Sequence, residues 1–216
     1  MILLEWDDSG GGSSRSLQGK LEFKVTESGG SERFARFVER LSLALGAAVE
    51  VREVVPRVPA DGRVYSLIFA NKPQLGFVTG ITYGLSPLID SPASGRELCI
   101  SMRSDDLEWA MVPAITVAAL RGLCPFEPGM VIGYKKPYVE GSGLSSLLLG
   151  TPESRLMMDR RIDLGVLPGR DADDFVELVG AYPIYPSERN FFHTHGAEMA
   201  WNSEWDPTDP IRSALV

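Results

Sequence analysis

Few side chains in this sequence have the type and spacing to do chemistry. The only two histidines, His193 and His195, stand two residues apart, and Glu198 follows His195 by three. A zinc site needs lone-pair donors set around a tetrahedron. On a strand the two imidazoles would share a face; on a helix they diverge and His195 approaches Glu198. No HExxH or Glu-x-x-His pattern accompanies them, so surface or loop histidines are the expectation and no metal is assigned. General acid–base catalysis would need two carboxylates in one cleft with separated pKa values. The candidates are Asp105, Asp106, Glu108, Asp173, Asp174, Glu188 and Asp209. Most have a simpler use, Asp105 and Asp106 at a helix start and Asp173 and Asp174 at a loop end. Cys99, in a strand pattern, and Cys124, beside Pro125, lack a histidine near in sequence and read as small core hydrophobes.

Binding chemistry is equally sparse. Gly141-Ser142-Gly143 has neither the Lys-Ser/Thr of a phosphate-binding loop nor a dinucleotide context. Lys135 and Lys136 between Tyr134 and Tyr138 form the one aromatic-basic cluster. Trp201 and Trp205 lie in a polar tail with Glu198, Glu204, Asp206 and Asp209. Tryptophan supplies buried contact area and carboxylates steer a basic partner, so this tail is either anchored to the core or a partner-binding edge.

Composition narrows the classes. The 216 residues carry 21 Lys and Arg against 29 Asp and Glu, a formal charge of −8, which speaks against a nucleic-acid footprint. Two cysteines cannot build a thiolate zinc cluster or a disulfide framework. The start, MILLEWDD, lacks the pattern of a signal peptide, and the longest uncharged apolar run, Ala110 to Leu120, is too short for a membrane span. A cytoplasmic protein with no cofactor is the expectation.

The positioning elements follow from pattern. Ser31 can cap a helix over 31–45, with Phe34, Phe37, Val38, Leu41 and Leu45 as its apolar stripe and Gly46 as its stop. Strands are expected at 49–55, 64–70, 75–86 and 96–104. In the last, Leu98, Ile100 and Met102 take one face and Glu97, Cys99 and Ser101 the other. Gly80 and Gly84 break the third strand, which suggests a bulge or a backbone passing close by. A second, largely buried helix is written at 105–122, with an Asp105–Glu108 capping box and with Pro113 either kinking it or marking a later start. The stretch 143–150 reads as short helix or strand, 156–169 is ambiguous, 175–186 is a late strand, and Ser187-Glu188 opens a last helix. Residues 1–30 form an N-terminal extension whose short apolar start reads as an edge strand or a tail, with LEFKV at 21–25 as a further strand candidate, and 31–216 form one domain. Several strands precede the second helix, so the fold class is α+β, with a mixed, largely antiparallel sheet packed with helices.

Several segments then line up in order with one family. VTGITYGLS at 78–86, RELCISMRSDD at 96–106, EPG at 127–129, GSGLSSLLL at 141–149, VELVGAYPIYPSE at 176–188 and Asp209 to Arg212 together resemble the suppressor-of-fused domain family. The resemblance implies an α+β domain that binds protein partners and has no established catalytic centre. It further implies, from bacterial members of this size, an immunity protein that neutralises a cognate polymorphic toxin by stoichiometric binding. Glu188 and Arg212 fall within the matching segments, and a structural ion pair is expected of them. The candidate partner contacts are Tyr83, Trp201, Trp205, Glu204 and Asp206, with peptide addition to the edge of the glycine-broken strand as a second mode. The rival from another class is a hydrolase using clustered carboxylates. A third reading is a scaffold or peptide-binding regulatory protein, with self-association left open.

Overall fold

The computed structural model describes residues 30–58, 62–87, 95–133, 136–156, 158–166 and 173–216. The N-terminal extension and its candidate strand, the Ser31 side chain, and Tyr134 and Lys135 lie outside the described set.

Helix α1 (Gly30–Leu45) buries the stripe read from its spacing: Phe37, Leu41 and Leu45 are in the core, and Phe34 and Val38 flank it. It ends as Gly46 enters the left-handed region at φ 57°. The amide of Gly46 donates to Leu43 O and that of Ala47 to Ser42 O, the paired bonds of a Schellman stop. Strands β1 (Glu50–Val54), β2 (Val64–Ala70), β3 (Val78–Tyr83) and β4 (Arg96–Met102) form an antiparallel meander. Helix α2 (Glu108–Leu120) follows, then β5 (Val131–Gly133), β6 (Ser146–Gly150), a short 3-10 turn (Ser154–Leu156), β7 (Arg161–Val166) and the long β8 (Asp173–Ile184). Helices α3 (Pro186–His195) and α4 (Glu198–Trp201) precede the C-terminal tail.

The sheet runs β1-β2-β3-β4-β8-β6-β5, and β7 also pairs with β8. Only β4–β8 is parallel. Glu177 is the register partner of both Arg96 in β4 and Arg161 in β7, so β7 lies on the edge of β8 opposite β4. The fold is therefore α+β with a mixed, largely antiparallel sheet. β3 is paired on both edges, which removes the glycine-broken strand as a place for peptide addition.

Period-two alternation sorts the strands onto two faces. Val179 and Ala181 of β8 join Leu98, Ile100 and Met102 under α2. Val176 and Leu178 pack with α1, while Tyr182 and Ile184 pack with Phe192 of α3 and Ala200 of α4. The sheet is thus covered by α2 on one side and by α1, α3 and α4 on the other. No helix among the described residues is long and apolar enough to cross a membrane.

Two expectations about α2 change. It begins at Glu108, nearer the proline than Asp105, and runs on through Pro113 to Leu120. Asp105 is not the cap: Asp106 Oδ1 accepts the Glu108 amide at 2.9 Å, in a turn where Ser104 Oγ accepts the Asp106 amide at 3.1 Å. The helix docks on the sheet by backbone. Ser66 Oγ donates to Ala110 O at 2.7 Å, and a Cβ on Gly80 would lie 2.2 Å from that oxygen. The close passage expected of Gly80 is α2 itself. Gly80→Ala is expected to cost about 3 kcal/mol by forcing the helix off the sheet. A urea melt reads this as a lower midpoint with a native-like far-UV spectrum; an unchanged midpoint would contradict the close approach.

Candidate functional site

The residues with chemical potential gather in two buried polar knots, and one of them supports an exposed ledge. Its first support is the junction of β8 and α3. Pro186 takes the first turn of α3, where its missing amide costs nothing. Glu188, fully buried, turns back so that Oε2 accepts the Tyr185 amide at 2.8 Å. Arg212 then meets Glu188 with two prongs, Nη1 to Oε1 at 2.5 Å and Nη2 to Oε2 at 2.6 Å. Oε1 also accepts the Leu215 amide at 2.8 Å. The Arg212 guanidinium donates further to Ser213 O and Pro183 O and lies 4.5 Å from the centroid of the Trp205 ring. Tyr185 closes the knot by donating its hydroxyl to Arg212 O at 2.5 Å. Such a pair resists removal of either partner, because the other would be left as a buried, unpaired charge.

A second tie holds the middle of the tail to the end of β4. The Arg103 amide donates to Thr208 O at 2.8 Å, and the Arg103 guanidinium pairs with Asp206. Asp206 Oδ1 accepts the amide and the hydroxyl of the buried Thr208 at 3.0 and 2.6 Å. Burial alone would raise the Asp206 carboxyl, but the Thr208 bonds and the charges of Arg103 and Arg155 outweigh it and hold it below the ordinary range. A depressed carboxyl stabilises above its unfolded value, about 3.9, and that contribution fades as pH falls through the lower folded value. Neutral pH therefore keeps this tie.

Between the two ties stand the tryptophans. Trp201 is 45% exposed. Its ring meets Tyr182 edge-on at 4.9 Å and Trp205 at 6.0 Å. It lies over Gly150, where a Cβ would come 2.5 Å from Trp201 Cζ2. Trp205 is half-buried beneath Arg212, whereas Glu198, Met199 and Glu204 are exposed. The structure thus brings Trp201, Trp205, Asp206, Glu188 and Arg212 into one C-terminal unit with Glu204 at its surface. Tyr83 is elsewhere. It is 6% exposed and packs beneath α1 against Phe34 and Phe37, which makes it a core residue and not a surface contact.

The second knot surrounds Tyr83. Glu97, fully buried on the α1 face of β4, accepts from five donors. Thr82 Oγ1 reaches Oε2 at 2.6 Å, while the amides of Gly84, Leu85 and Ser86 and the Ser86 hydroxyl reach Oε1 at 2.8 to 3.1 Å. The Ser86 hydroxyl in turn accepts from Arg33 Nη1 at 2.7 Å, and Arg33 pairs with Asp174 at 2.7 and 3.1 Å. Burial pushes the Tyr83 phenol up, against the lowering pull of Arg33. Sequence reasoning missed Glu97 and Arg33. The available signals were a carboxylate in a strand apolar enough to be central, and an arginine one helical turn before Phe37.

The remaining candidates have local roles. The exposed His195 ring stacks on Phe191 at 4.4 Å and its Nδ1 lies 3.0 Å from Phe191 O; His193 is also exposed. Among the described residues no group of three His, Cys, Asp or Glu could hold a metal ion. Cys99 is buried and its thiol is pushed up to about 12 by desolvation; Cys124 is raised for the same reason. Gly143 leaves its Cβ space to the Tyr185 ring, while Gly141 has open space about it. Among the carboxylates, Asp174 meets Arg33, Asp106 accepts the Glu108 amide, Asp209 accepts the Ile211 amide at 3.0 Å, and Glu108 faces Arg52 at 3.6 Å.

By sequence, no family model and no curated protein matches this chain. By structure it is similar to a SUFU (suppressor of fused protein) homolog from Neisseria gonorrhoeae FA 1090, with a TM-score of 0.61 and 15% identity over 84% of this chain and 96% of that one. It is also similar to a chain of the Sufu-Fu complex, with a TM-score of 0.55 and 13% identity over 83% of this chain and 90% of that one. The fold is suppressor-of-fused-like.

Proposed function

We propose that this chain is a protein-binding module whose C-terminal ledge receives the partner, and that it serves as an immunity protein neutralising a cognate toxin by stoichiometric occlusion. The observation that carries this reading is the ledge: a half-exposed Trp201 on a base clamped by Glu188–Arg212 and Asp206–Arg103. Tryptophan is the side chain most enriched among residues that dominate binding energy. Clamping the tail before encounter lowers the ordering cost that association otherwise carries. The exposed Glu198 and Glu204 beside it speed encounter with a basic partner more than they deepen affinity. The likeness to a chain of the Sufu-Fu complex supports the same class of role, since that fold is there part of a protein assembly. Acid–base catalysis has less support: Glu97 and Glu188 have their lone pairs committed to buried donors, and Asp174 is held by Arg33.

The test is co-expression with the C-terminal domain of the toxin encoded directly upstream. Growth rescue and a co-purifying complex are expected, with both lost for Trp201→Ala while the variant remains folded. Absence of rescue and of complex would sink the immunity reading for that pair. Glu204→Lys is expected to slow association with little change in dissociation.

A further inference from the structure

Away from the ledge, the α2 face of the sheet opens where β4 begins. Arg96, Glu177 and Arg161 stand abreast there on β4, β8 and β7, because Glu177 is the register partner of both arginines. With Gly95, Arg160 and Phe175 they line a concavity of about 390 Å³. Among the described lining residues three guanidiniums stand with one carboxylate, Glu177, in a protein whose net charge is −8, and Glu127 lies beside Arg96. The positive side chains are also held apart. Arg96 donates to Pro125 O at 3.1 Å and lies 3.6 Å from Glu127. Arg161 leaves Glu177 and lies 3.7 Å over the Phe175 ring, and Arg160 approaches Glu177 at 3.9 Å.

We infer that this concavity docks an acidic, extended segment of a partner protein. Arg96 and Arg161 start from strands two spacings apart, about 9–10 Å. The two arms are anchored on different groups, Arg96 on Pro125 O and beside Glu127, Arg161 over the Phe175 ring. An extended peptide carries alternate side chains about 7 Å apart on one face, and two glutamates at that interval reach both arms. Arginine offers each carboxylate a planar pair of donors. The site stands on its own residues and is independent of the tail ledge, which uses none of them.

The probe is a dye-labelled hexaglutamate peptide, followed by fluorescence anisotropy at low salt, with the intact chain. Saturable binding is expected, weakened about tenfold or more in the Arg160→Glu/Arg161→Glu double variant. Both side chains are exposed, and a native far-UV spectrum confirms the fold of the variant. Arg40→Glu, an exposed position on α1, should leave binding unchanged. Three results would overturn the inference: no saturable binding, equal weakening by Arg40→Glu, or mole-for-mole displacement of the peptide by inorganic phosphate. The last would make the concavity a small-anion site. Each of these outcomes is separate from rescue by the ledge.

Discussion

Replacing Glu97 with alanine is expected to remove about 4–5 kcal/mol of stability, because up to five donors lose their acceptor and a buried unsatisfied donor costs about 1–3 kcal/mol before relaxation. For a chain of this size each kcal/mol moves the melting midpoint by about 2–4 °C, so a fall of about 10–20 °C should be read by thermal denaturation. The effect exceeds that of an ordinary core truncation because the donors include three consecutive amides, of Gly84, Leu85 and Ser86, that the loop cannot re-pair. Glu97→Gln should recover only part of the loss, since its NH₂ group would face donors. Ser86→Ala keeps the carboxylate but also takes the acceptor from the buried Arg33 Nη1, and should cost about 1–3 kcal/mol. A midpoint for Glu97→Ala within a degree or two of the parent would mean that the nest does not hold the turn after β3.

Arg212→Ala is expected to be comparably severe, about 3–5 kcal/mol, by leaving the fully buried Glu188 without its counter-charge. Its readout is more local. The tail should detach, Trp205 should lose the guanidinium above it, and the tryptophan emission should shift to the red. Limited proteolysis should cut after 202 in the variant at concentrations that spare the parent. Arg212→Lys should not restore the parent behaviour, because one ammonium cannot reproduce the two-pronged contact and the stacking on Trp205. Emission and proteolysis unchanged from the parent would show that the tail is held by the Asp206 tie alone.

The legible part of the fold was whatever local pattern decides. The α1 stripe and its Gly46 stop, the alternation in β4, and the glycine that admits α2 all follow from spacing and the steric needs of one residue. The parallel β4–β8 pair did not, because it joins segments about eighty residues apart and nothing local encodes that partner. The buried knots were illegible for the same reason. Arg33 and Asp174 are 141 positions apart, and each alone looks like a solvated charge at the end of an element. Only their burial, which the sheet imposes, converts them into a pair. Glu188 and Arg212, 24 positions apart, were expected to pair only because both fall in segments that resemble the suppressor-of-fused family. The tail was legible in composition and not in placement: Trp201, Trp205, Glu204 and Asp206 were grouped by proximity in sequence, whereas Tyr83 belongs to the packing beneath α1.

These two knots have different consequences for function. The Glu97 nest fixes the turn from Gly84 to Ser86 after β3 and should affect binding only through stability. The Glu188–Arg212 knot fixes the surface that is proposed to bind, so its loss should weaken binding even in a chain that stays folded. Calorimetric titration of the purified chain with the purified C-terminal domain of the proposed toxin partner tests the central claim most directly. The account predicts one-to-one binding at about 1 μM or tighter, weakened about tenfold or more by Trp201→Ala in a variant that keeps a native far-UV spectrum and stays folded at the assay temperature. Binding by Trp201→Ala as tight as by the parent, or no binding heat and no complex on size exclusion, would contradict it.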